Sequence, residues 1–169
     1  MTDFDLAIVG SSFAGSLLAL VARRLGRKVL LVERGRHPRF AIGESSTPLA
    51  ALLLEEMAIR QDLPQLMPFT KWGSWQAAHP EIAAGLKRGF TFYRQTPGRG
   101  DGPRPGRVDE LLVAASPRDE IADTHWYRPD FDHFLVREAV AAGVEYADET
   151  HLTGAEPGAD SMTLRGSRK

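Results

Sequence analysis

Gly10 and Gly15 bracket the hexapeptide Gly10-Ser11-Ser12-Phe13-Ala14-Gly15, and Glu33 stands about 20 residues further on. Glycines belong where a chain turns tightly and another group must come close to the backbone. A carboxylate at that later position suits the hydroxyl pair of a sugar. Two further places carry polar chemistry. Gly43-Glu44-Ser45-Ser46-Thr47-Pro48 combines backbone amides with three neighbouring hydroxyls, and Lys87 and Arg128 each stand beside a segment that reads as regular structure.

The elements around these residues fit that chemistry. Asp5 to Val9 is a short apolar run stopped by Gly10, which suits a buried parallel strand. From Ala14 to Leu25 the residues Leu17, Leu18, Leu20, Val21 and Leu25 recur at helical spacing, and Gly26 stands at the C-terminal cap. Lys28 to Val32 is a second buried strand ending at Glu33. Strand, helix and strand over residues 4–33 form a parallel crossover, and the turn between strand and helix is where a dinucleotide's pyrophosphate meets a helix N-terminus. Gly10 allows the tight turn and Gly15 allows close approach of helix and sheet. Ser12 replaces the usual middle glycine, crowding the phosphate approach while offering it a hydroxyl. A dinucleotide is the cofactor that this arrangement suggests.

Residues 42–60 read as a loop followed by a helix from Leu49 to about Ile59, with Thr47 as N-cap and Pro48 at the first helical position. Capping is also an alternative account of Ser45, Ser46 and Thr47. Residues 88–116 read as two antiparallel strands, Gly89 to Arg94 and Glu110 to Ala115. The stretch from Thr96 to Arg107 between them, rich in glycine and proline, reads as a mobile loop. A further helix and strand occupy 130–148, with Asp130 as N-cap, Gly143 as the stop and Val144 to Ala147 as the strand; one short strand and a polar tail end the chain. The fold class is α/β: a Rossmann-like parallel sheet with an antiparallel excursion.

The 169 residues carry a net charge of -1, with 43% hydrophobic and 25% charged residues, as in a soluble globular domain. No basic field is present for nucleic acid or an anionic membrane. The absence of cysteine excludes disulfides, thiolate metal sites and thiol nucleophiles. The histidines at 37, 79, 125, 133 and 151 lack metal-ligand spacing, so no metal is expected. The acidic start and the lack of a long apolar run lead to an expected cytoplasmic location. Trp72, Trp75, Trp126 and Tyr127 read as core with polar tips.

The segments Asp5 to Gly10, Leu31 to Arg34 and Ile42 to Pro48 together resemble the opening of the flavin-dependent halogenases and their monooxygenase relatives. The resemblance implies flavin adenine dinucleotide (FAD) contacts from Gly10, Ser12, Phe13, Ala14, Gly15, Glu33 and Arg34, with Glu44, Ser45, Ser46 and Thr47 near the flavin and, in a halogenase, near a halide ion. Trp126 to Leu135 continues it and implies an Arg128 contact to FAD, against the alternative of a surface salt bridge. Lys87 to Phe92 resembles the segment whose lysine handles hypohalous acid, against the alternative of a solvated lysine. The implied partners are a small organic substrate and a flavin reductase.

The resemblance spans residues 5 to about 148, and the family's later segments have no counterpart here, which reads as an N-terminal part of an incomplete fold. Halogenation is the favoured reading. Hydroxylation or reduction by a flavin monooxygenase or reductase is one alternative, and an inert nucleotide-binding or interaction module is another.

Overall fold

The structure, a computed structural model, describes residues 3–98, 105–114 and 116–169. The chain divides into two compact units, one formed by Met1–Glu44 with Tyr127–Lys169 and the other by Ser45–Trp126.

In the first unit β1 (Leu6–Val9), β2 (Val29–Val32) and β7 (Glu145–Ala147) form a parallel sheet in the order β1-β2-β7. Its register runs from Leu6 opposite Val29 to Val9 opposite Val32. Helix α1 (Phe13–Arg24) joins β1 to β2 and buries Leu17, Ala19 and Leu20, while Val29 and Leu31 bury the sheet side. Each large apolar side chain so removed from water contributes about 1.5–3 kcal/mol. Gly26, at φ +79°, follows the end of α1 in the left-handed conformation that glycine adopts without strain.

Helix α4 (Arg128–Ala141) packs against α1 and buries Phe131, Phe134 and Leu135. It begins earlier than the sequence suggests. Tyr127 is the N-cap and Asp130 lies inside the first turn, because Pro129 fits a first turn that needs no donor and Arg128 pairs one turn onward with Asp132. An acidic Asp130 still complements the positive end of the helix.

The unit ends in a long hairpin of β8 (Thr150–Pro157) and β9 (Met162–Arg168). The sequence reading has one short strand here. Most of the hairpin's side chains are exposed, so no apolar alternation marks it, and its backbone ladder supplies the order.

In the second unit α2 (Pro48–Arg60) leads through a 3-10 stretch (Pro64–Thr70) to α3 (Trp72–Ala78). Strand β3 (Ala84–Lys87) pairs antiparallel with β6 (Asp123–Trp126), and β4 (Gly89–Tyr93) pairs antiparallel with β5 (Glu110–Ala114). Residues 99–104 of the expected mobile loop lie outside the described residues; Pro105–Arg107 forms a short 3-10 turn.

Leu54, Leu66, Phe69 and Trp75 are buried in this unit, with the Phe69 and Trp75 rings edge-on at 4.7 Å. Trp75 satisfies its indole by donating to the Ile82 carbonyl at 2.8 Å, a core tryptophan with its polar tip engaged. Tyr127, by contrast, is exposed.

Candidate functional site

The turn after β1 is as tight as its glycines allow. Gly10 adopts φ +100° and its amide donates to the Val32 carbonyl at 2.7 Å, fastening the turn to β2. A Cβ on Gly15 would lie 1.9 Å from the Gly10 carbonyl oxygen, so the first turn of α1 lies directly on the strand end. Ser12 is the N-cap of α1, but its side chain makes no capping hydrogen bond. The first-turn amides therefore lack the usual side-chain acceptor.

Glu33 closes the same turn from β2. It is buried, and its Oε2 accepts from the Ser11 amide and the Ser11 hydroxyl, each at 3.0 Å, while Oε1 accepts from the Gly35 amide at 2.9 Å. Burial by itself would raise its pKa. The backbone donors of Gly35 and Ser11, with Arg39 and the Ser11 hydroxyl, outweigh burial and lower it to about 2. Glu33 is thus a fixed anion at ordinary pH.

Arg39 is the residue that sequence reasoning missed. Its guanidinium donates to Ser12 Oγ at 2.8 Å and to Glu33 Oε2 at 3.0 Å, joining two of the residues singled out from sequence. The only signal for it was an arginine soon after the acid that ends β2.

His37 Nε2 lies 2.8 Å from Ser11 Oγ, and the Tyr146 hydroxyl lies 3.5 Å from the same atom. Burial first, then the Arg39 charge, lower the His37 pKa, with Glu33 and Asp132 opposing. His37 and Tyr146 also line an open cavity of about 430 Å³ together with Arg36, His133 and Arg137.

Of the other residues singled out, Ala14, Arg34 and Glu44 are exposed, and Phe13 is half-buried with its ring 6.0 Å from that of Phe131. Arg128 makes a two-pronged contact with the fully buried Asp132, Nε to Oδ1 at 2.8 Å and a terminal nitrogen to Oδ2 at 3.0 Å. Its remaining nitrogen donates to the carbonyls of Ile42 and Gly43 at 3.0 and 3.1 Å. Arg128 therefore ties the start of α4 to the loop at 42–43.

A separate constellation lies in the second unit. Ser46 is buried and clamped to Thr124: its amide and hydroxyl both donate to the Thr124 carbonyl, at 3.1 and 2.7 Å, and its hydroxyl accepts from the Thr124 amide at 3.3 Å. Ser45 forms an antiparallel bridge with His125. Thr47 caps α2 by accepting from the Ala50 amide at 3.1 Å, as its place before Pro48 suggests.

Lys87 is not a solvated lysine. It is 4% exposed, and its ammonium donates to Ser45 Oγ at 2.7 Å and to the Ser46 carbonyl, with the Phe90 ring centroid 3.8 Å away. Burial lowers its pKa, and the charge of Asp123 opposes that shift. Ser45, Ser46 and Lys87 are therefore brought together, as are Ser12 and Glu33 in the other unit.

No family model matches the sequence. Among curated proteins, monodechloroaminopyrrolnitrin halogenase PrnC of Pseudomonas fluorescens is 30% identical over 98% of this chain and 29% of its own length. Tetracycline 7-halogenase of Kitasatospora aureofaciens is 24% identical over 96% of this chain and 30% of its own. Among solved structures, halogenase PltM in complex with phloroglucinol and FAD superposes with a TM-score of 0.80 at 27% identity, over 99% of this chain and 32% of that one.

Along nearly its whole length the chain is similar to flavin-dependent halogenases. It spans under a third of the length of the curated relatives it matches. The FAD-dependent chondrochloren halogenase CndH, at 22% identity and a TM-score of 0.66, shares the same fold. Among the described residues no helix is long and apolar enough to cross a membrane.

Proposed function

We propose that this chain supplies the FAD-holding turn and the acid lysine of an enzyme that halogenates a small organic molecule. The match to named halogenases along nearly the whole chain carries this reading. The residues present fit the cofactor. A glycine-crowded turn, first-turn amides without a capping side chain, and a Glu33 ionised at ordinary pH suit a pyrophosphate followed by a ribose.

In this reading Glu33 accepts from ribose hydroxyls, and Gly10, Ser12, Phe13, Ala14 and Gly15 receive the pyrophosphate with Arg39 as an added cation. Arg34 flanks the adenosine, and Arg128 fixes the loop that carries Glu44. Ser45, Ser46 and Thr47 belong to the segment assigned to flavin and halide. Reduced FAD supplies the electrons with which oxygen and a halide become the halogenating oxidant. Lys87 provides a proton to that oxidant from a water-poor site held by Ser45 and Ser46. A separate flavin reductase delivers the reducing equivalents, and the location is cytoplasmic.

The test has two stages. FAD is titrated into the protein and followed by quenching of flavin fluorescence. The protein carrying this chain is then supplied with NADH, a flavin reductase, oxygen, chloride or bromide, and a panel of pyrroles and phenols. Halide-dependent product with the halogen isotope pattern supports the proposal. Hydroxylated product without a halide requirement, or no uptake of FAD, overturns it.

A further inference from the structure

Lys87 closes β3 and Asp123 opens β6, and the two are register partners across the antiparallel pair. Such partners present their side chains on one face, with Cβ atoms roughly 4.5–5.5 Å apart. Both are buried, at 4% and 7% exposure. Burying one charge alone is costly; burying opposite charges side by side recovers much of that cost.

Asp123 Oδ2 is shielded from solvent and accepts no hydrogen bond. A buried carboxylate oxygen without a donor is rare, and its charge calls for a compensating cation. Its register partner Lys87 already has its donors engaged, on Ser45 Oγ, on the Ser46 carbonyl and toward the Phe90 ring. Asp123 therefore acts on Lys87 through its field, not by replacing those acceptors.

The surroundings leave this pair to itself. The segment at 45–46 brings hydroxyls and a carbonyl, β4 brings the Phe90 ring, and β6 also brings His125, which is exposed. Arg88, the next residue after Lys87, is engaged at the surface by Asp119 at 2.9 Å. Among the described residues, Asp123 is the charge that bears on Lys87, and Lys87 is the charge that bears on Asp123.

We propose that Asp123 is the positioning residue of Lys87, its carboxylate keeping the ammonium charged and fixed at the end of β3. The use of that proton in halogenation rests on the function proposed above; the coupling of the two side chains does not. Burial drives the Lys87 pKa down and the Asp123 pKa up, and each charge opposes the shift of the other. Removing either charge therefore drives the remaining group further from its ordinary value.

The experiment needs no turnover. The chain has four lysines, Lys28, Lys71, Lys87 and Lys169, so carbon-13 labelled lysine gives few Cε signals to follow against pH, with Lys87→Met assigning the one of interest. In Asp123→Asn the Lys87 midpoint should fall by about one unit or more. The other three lysines should be unmoved, and Asp123→Glu should restore the midpoint in part. In the reciprocal arm, the carboxyl carbon of Asp123 should titrate at higher pH in Lys87→Met than in the parent. That arm decides the question if tryptophan fluorescence shows Asp123→Asn to be unfolded. An unchanged Lys87 midpoint in folded Asp123→Asn, or an unchanged Asp123 midpoint in Lys87→Met, overturns the proposal. If both midpoints move as stated but no halogenated product forms, the coupling stands and the functional reading falls.

Discussion

Glu33 Oε2 and the backbone amide of Ser11 meet at 3.0 Å, a contact between the end of β2 and the residue just past β1. It links the cofactor turn to the pH response of the fold. A carboxylate whose pKa is lowered from 4.5 to about 2 contributes stability that is present above the unfolded value and lost as pH falls through the folded one. The contribution is on the order of 3 kcal/mol. Between pH 4.5 and pH 2 the parent should therefore lose more thermal stability than Glu33→Gln, as read from melting curves at stepped pH. Parallel curves for the two proteins would remove Glu33 as an acid-sensitive anchor.

A second substitution at the same residue tests the cofactor role. Glu33→Ala deletes a charge-assisted acceptor, typically worth about 1.5–3 kcal/mol, or roughly tenfold or more in FAD affinity. Fluorescence titration on samples shown by circular dichroism to be folded separates weak binding from unfolding.

Gly15→Ala should be among the most damaging small substitutions in the first unit. The added methyl would lie 1.9 Å from the Gly10 oxygen, and that contact is to backbone, which cannot turn aside. A loss of about 1–3 kcal/mol or more is expected in urea denaturation, with FAD uptake reduced in proportion. Gly26→Ala is a useful contrast: nothing lies within 4 Å of its added Cβ, so its cost is the strain of φ +79° alone.

Arg128→Ala should cost stability before it costs cofactor. It leaves Asp132 buried without its cation, a change typically worth about 3–5 kcal/mol. Arg128→Lys should recover little, since a single ammonium cannot reproduce the two-pronged contact and also reach Ile42 and Gly43. If Arg128→Ala melts like the parent and loses FAD affinity, its role is in binding.

Lys87→Met should suppress halogenated product by about 100- to 10,000-fold in the protein carrying this chain, while FAD binding and flavin reduction remain near parental values. Product at the parental rate would make Lys87 a structural lysine.

The β1-α1-β2 unit was legible because its signals are local: two apolar runs, a helical repeat and glycines where the backbone turns. Thr47 and Pro48 marked the start of α2 for the same reason. Strands β3 and β6 carried no such mark. Ala84-Gly85-Leu86-Lys87 and Asp123-Thr124-His125-Trp126 are short and mixed in polarity, and each becomes a strand by pairing with the other. Asp130 looked like a helix cap because aspartate favours that place, whereas the pairing of Arg128 with Asp132 starts the helix earlier.

The environment of Lys87 was hidden because its acceptors lie 41 and 42 residues away in the chain, beyond any local pattern. Arg39 belongs to no motif, and it bridges Ser12 and Glu33 only in the folded chain.

The clamp of Ser46 on Thr124 spans 78 residues. Closing a loop of that length costs entropy that grows with the logarithm of its length, and the contacts that repay it form only afterwards. On a ribosome, Lys87 emerges well before Thr124, so its side chain is first made as an ordinary hydrated ammonium. Its acceptors take their places only when β6 has been synthesised and has captured the 45–46 segment. The acidity of Lys87 is thus acquired late in folding, and any delay in pairing β6 postpones it.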